Sequence, residues 1–74
     1  MDQNRKVMTS RTTRNKIRFQ GKSALEDLRR AQEHLTGLAA LAEERSPYIE
    51  ENLPTIMLAL ESVRVALSSF YEGL

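Results

Sequence analysis

Cysteine is absent from this 74-residue chain, and there is a single histidine. Disulfide staples and thiolate metal sites are therefore excluded, and a zinc site would have to be built mainly from carboxylates. No Glu-x-x-His run occurs, so the pattern that holds metals inside helical bundles is missing as well. The uninterrupted apolar runs, residues 38–42 and 56–60, are far shorter than the ~20 residues a bilayer crossing needs, and no membrane span is expected on that criterion. The N-terminus is polar and basic without an apolar segment of secretory type, which makes an intracellular location the expectation.

A complete phosphate-binding loop is missing too. Gly21-Lys22-Ser23 matches the end of G-x-x-x-x-G-K-[ST], but the position of the first glycine is Lys16, and the preceding residues are too charged for a buried parallel strand. Ser23 followed by Glu26 fits a helix-capping box better. Groups for catalysis are few. His34 stands beside Glu33 on the polar side of a helical pattern, and Glu43-Glu44 and Glu50-Glu51 flank a turn as a solvated charge run. We expect no catalytic residue, no metal, no cofactor and no small-molecule substrate.

What the chain does have is an uneven charge distribution. Residues 1–22 carry Arg5, Lys6, Arg11, Arg14, Lys16, Arg18 and Lys22 against Asp2 alone, a net +6. Residues 23–74 carry four arginines against nine acids, a net −5. The first segment has few apolar side chains, so it reads as a basic arm unable to fold by itself, and the second as a separate helical domain.

Within residues 23–74 the apolar spacing is helical. Leu25, Leu28, Leu35, Leu38 and Leu41, with Ala31, Ala39 and Ala42, recur every three or four residues and predict a helix over about 24–45. Gly37 among the alanines predicts either a close approach by a second helix or room for a large side chain from it. Ser46-Pro47 reads as an N-cap followed by the first helical residue, and Pro54 predicts a kink or restart before a regular helix over about 54–72. That helix carries Ile56, Met57, Leu60, Val63, Leu67, Phe70 and Leu74 as one stripe, and Leu58 and Val65 with Ala59 and Ala66 as a second, weaker line. The short connection predicts an antiparallel hairpin.

Two helices cannot bury both lines, and each Leu or Val left in water forfeits about 1.5–3 kcal/mol of burial. The fold class expected is therefore all-α: a two-helix hairpin that completes a bundle with itself or with a protein partner. The interface would use Leu25, Leu28, Leu35, Leu38, Ile56, Met57, Leu60, Val63, Leu67 and Phe70, with Leu58 and Val65 as second-face contacts. The alternative is a monomer in which residues 47–52 fold back as a lid. A structural or adaptor subunit is the functional expectation. The competing one is a small dimeric nucleic-acid-binding regulator whose seven arm cations contact phosphates, with Phe19 available to stack on a base.

Lys16-Ile17-Arg18-Phe19 supports a further expectation. With a basic, an aliphatic and an aromatic position in order, it resembles the RVxF-type docking motif for the catalytic subunit of protein phosphatase 1, over these four residues alone. The resemblance implies an extended peptide whose Ile17 and Phe19 enter pockets at a sheet edge. Packing of the same two side chains against the hairpin is the competing reading.

Overall fold

A computed structural model of the chain describes the backbone of residues 2–74 and the side chains of residues 12–74. It is all-helical: α1 covers Asp2–Ala42 and α2 covers Pro47–Glu72, with no strand among the described residues. The principal extents are 64 × 16 × 16 Å, close to the ~61 Å that 41 residues span at 1.5 Å each.

α1 starts far earlier than Ser23. The helix passes without interruption through the boundary expected at residues 22–23, so Ser23 lies inside it and is not an N-cap. Starting a helix is the unfavourable step, and each residue added afterwards gains a hydrogen bond. Once residues 23–42 are helical against α2, the arginines, lysines and glutamines before them can extend that helix at small cost.

The other end differs as well. α1 stops at Ala42 rather than Arg45, because Glu44 adopts the left-handed region (φ 62°) and the Arg45 and Ser46 amides both donate to the Ala42 carbonyl, at 2.9 and 3.1 Å. The Glu44 amide donates to the Glu50 carboxylate at 2.9 Å, which ties the turn to the helix that follows. Ser46 is extended (φ −140°, ψ 96°), its hydroxyl accepts from the Ile49 amide at 3.3 Å, and Pro47 begins α2. This is the expected cap, worth about 1 kcal/mol.

Pro54 neither breaks α2 nor forces a restart, so residues 47–53 are helix and not a lid. Its ring cannot donate to the Glu50 carbonyl, but Glu50 is exposed and water can take that bond. Leu53, directly before it, is 6% exposed and anchors the helix there.

The contacts between the helices follow a 3-4 spacing on both. Gly21, Leu25, Leu28, Gln32, Leu35, Ala39 and Ala42 on α1, and Leu53, Met57, Leu60, Arg64, Leu67 and Tyr71 on α2 with Leu74 just past its end, are all buried or half-buried. A strict alternation of threes and fours is the seam of a coiled coil. Along it Gly21 touches Tyr71, and Gln32 bonds Glu61.

The close approach expected at Gly37 occurs at Gly21 instead. A Cβ at Gly37 would meet nothing within 4 Å, whereas one at Gly21 would stand 2.8 Å from Tyr71 Cδ1. Gly37→Ala should therefore raise stability by about 0.5–1 kcal/mol, the cost of glycine in a helix interior. Gly21→Ala should lose that gain to displacement of the Tyr71 ring and be no more stable than the parent. Urea unfolding of the two variants checks both signs; equal gains would show that the Tyr71 contact does not constrain the seam.

Candidate interaction surfaces

The described structure has very little interior. Ala42 and Leu53 alone are buried among the described residues, while Ile17, Phe19, Leu38, Leu41, Tyr48, Ile56, Leu58, Val63, Val65 and Phe70 are exposed large hydrophobics. The candidate site is accordingly a set of surfaces rather than a pocket, and it divides into the two sides of the helix pair and the projecting end of α1.

One side is polar. Arg64 Nη2 and Nε donate to the two Glu61 carboxylate oxygens at 2.6 and 3.1 Å, and the Gln32 amide donates to Glu61 Oε1 at 2.9 Å across the seam. The Arg64 hydrogen bonds, then the one from Gln32, hold the Glu61 carboxyl at about 2, below its usual 4.5. The same pairing raises Arg64. Gln32 and Arg64 occupy seam positions between leucines, so the middle of the seam is a polar layer, which in coiled coils selects register at some cost in stability. Neither residue belongs to an apolar stripe, although Leu28–Leu35 and Leu60–Leu67 bracket the slots they fill.

Since Glu61 titrates lower in the folded state, the stability it contributes is present above pH 4.5 and is lost as pH falls toward 2. Glu61→Gln should therefore flatten the pH dependence of thermal unfolding in that window. The group is solvent-exposed, so high salt should shrink the difference between the two proteins. A parent and variant with parallel profiles would rule out the pairing in solution.

The other side is apolar. Ile17, Ala24, Ala31 and Leu38 stand seven residues apart on α1, as do Ile56, Val63 and Phe70 on α2, each row flanking the seam. Ile17 and Phe70 line one groove, with Gly21 and Leu74 at its floor, which places the two rows on the same side. Of the expected interface residues, Leu25, Leu28, Leu35, Met57, Leu60 and Leu67 are in the seam. Leu38, Ile56, Val63 and Phe70 are on this uncovered flank, and Leu58 and Val65 face away from the seam, exposed by 71% and 53%.

The N-terminal half of α1 gives the basic residues a fixed spacing. Arg14, Arg18 and Lys22 lie four residues apart and share a helix face, with Lys16 off it, and all four are exposed. Arg18 sits 5.4 Å from the Tyr71 ring centroid, a cation–π contact worth about 0.5–1 kcal/mol. The side chains of Arg5, Lys6 and Arg11 lie outside the described residues. Lys16–Phe19 are helical, so the extended form that the docking motif implies is absent. Ile17 turns toward Phe70, and Phe19, 65% exposed, points elsewhere.

α2 is also long and apolar enough to cross a membrane by length and composition, with a mean hydropathy of 1.3 over an 18-residue window of which 6% is buried. Glu61, Arg64 and the serines interrupt the apolar runs of α2, so its average hydropathy is high although no single run is long. Among the described residues no group of three or more His, Asp or Glu is placed to hold a metal ion. No protein-family model, curated protein or solved structure matches this chain.

Proposed function

We propose that this chain is a non-enzymatic assembly protein, a structural or adaptor subunit whose antiparallel helical hairpin completes a coiled-coil bundle with itself or with a protein partner inside the cell. The observation that carries the reading is that, among the described residues, ten large hydrophobic side chains are exposed against a buried set of Ala42 and Leu53. A chain of this size with so small an interior among its described residues cannot offset its own folding entropy, and without cysteine no disulfide is available to help. Association is the remaining source of burial.

The hydropathy of α2 is better used by a bundle than by a bilayer. Glu61 and Arg64 fall mid-helix, where each charged group would cost about 2.5–3.5 kcal/mol in a membrane, and Gln32 of α1 serves the pair. Light scattering behind size exclusion, with circular dichroism on the same fractions, tests the proposal. A helical species larger than one chain, or an unfolded chain that becomes helical with a partner, supports it. A stably folded helical monomer over a wide concentration range overturns it.

The aligned Arg14, Arg18 and Lys22 favour a second reading, a dimeric regulator that lays a basic helix along nucleic-acid phosphates. Neutralising Arg14, Lys16, Arg18 and Lys22 should then remove a salt-sensitive gel shift. An unchanged shift would rule out phosphate contact by these four residues.

A further inference from the structure

We propose that the flank bearing Ile56, Val63 and Phe70 is where a second copy of this chain docks, giving a four-helix bundle whose two-fold axis runs along the helices. This rests on the assembly reading above and adds the face, the partner and the geometry.

The exposed area is the first argument. A folded monomer of 8.5 kDa exposes about 4,700 Å² by surface–mass scaling, against 6235 Å² here, an excess of roughly 1,500 Å². Part of the excess belongs to the N-terminal stretch of α1 beyond the end of α2. The rest includes the uncovered Leu38, Ile56, Val63 and Phe70 of the flank, and a standard interface takes about 800 Å² from each partner.

Self-complementarity is the second. A two-fold contact sets a patch against itself, so the patch must carry its own fit. Gly21 opposite Tyr71 and Gln32 opposite Glu61 set the levels along the pair, which puts Ala24 near the height of Phe70 and Ala31 near that of Val63. An axis along the helices lays α1 of one copy on α2 of the other at equal height. Each alanine of the small row then receives a large side chain of the opposite row. An axis across the helices would set alanine row on alanine row and leave Phe70 against another bulky row. The α2 side of this contact, Ile56, Ala59, Val63 and Ala66, carries no ionised group, while Lys16 of α1 lines the groove shared by Ile17 and Phe70. The polar layer of Gln32, Glu61 and Arg64 stays on the outer, hydrated side. Both basic N-terminal stretches leave from the same end.

The native chain has no thiol, so single-cysteine variants can test this directly. Ala31→Cys and Val63→Cys are mixed, exchanged and oxidised, with Leu58→Cys as an outward-facing control. The expected result is that the mixed disulfide predominates over both self-disulfides and forms at least tenfold faster than any bridge to Leu58→Cys. Phe70→Asp should also reduce the parent's association by at least tenfold while Leu58→Asp does not. Predominant self-disulfides, or a mixed rate no greater than the control, would overturn the arrangement while leaving assembly intact. A chain that is unfolded alone and becomes helical only with a different protein would overturn the second copy as occupant and keep the assembly reading. A stably folded monomer would end both.

Discussion

Leu60→Asp should leave the chain largely unfolded and unassociated. Leu60 is a half-buried seam residue one position before Glu61, at the height of Gln32 on the facing helix. Removing its side chain forfeits about 1.5–3 kcal/mol of burial. The new carboxylate must also lose water beside an existing one, with Arg64 already bonded through both Glu61 oxygens. An unpaired charge in such a place adds several kcal/mol, a large share of the roughly 4–11 kcal/mol that folding and association together would give a chain of this size. Circular dichroism and light scattering on the purified variant read both losses. The matched control is Leu58→Asp, 71% exposed on the side away from the seam, which should shift stability by no more than about 0.5 kcal/mol. A Leu60→Asp protein that keeps its helicity and association state would mean that the seam does not hold the helices together.

Leu53→Ala should cost about 2–4 kcal/mol and lower the melting temperature by at least ~10 °C. Leu53 shares with Ala42 the deepest burial among the described residues, 6% exposed, and lines a groove with Ala39, Ile49 and Met57 next to the turn. It does so one residue before Pro54, which withholds a hydrogen bond from α2 and by itself would favour a break. We attribute the continuity of α2 at that point to Leu53 packing. The variant should then fray α2 from its N-terminus as well as lose a core contact. Hydrogen exchange at residues 48–53 separates the effects: faster exchange confined to that segment shows local fraying, and uniform acceleration shows global loss. A change in melting temperature under ~3 °C would mean that the turn region is held by the Ser46 cap and the Glu44–Glu50 bond alone.

Much of the fold could be read from residue order because it depends on neighbours in sequence. Two helices and a restart at Ser46-Pro47 follow from apolar spacing and capping chemistry, both local, whereas the left-handed turn at Glu44 ends α1 three residues before the expected stop. The seam leucines Leu25, Leu28, Leu35, Leu60 and Leu67 were visible for the same reason. The start of α1 was not. Composition asks whether residues 1–22 can bury surface unaided, whereas the helix there continues the one that packs on α2, and Arg18 reaches the Tyr71 ring.

The surfaces divide along the same line. Periodicity separates apolar from polar faces, and it showed that α2 carries more apolar surface than one neighbour can cover. It cannot say which part of a broad stripe meets that neighbour. Ile56, Val63 and Phe70 lie on the same stripe as Leu60 and Leu67, and the rotation of α2 against α1 decides that the second pair is half-buried and the first three are left in water. The small residue that admits a close approach was likewise assigned by composition to Gly37. The level at which the helices pair places Tyr71 against Gly21 instead. Rotation and level are set by how residues fifty apart in sequence fit against each other, and no local pattern carries that information.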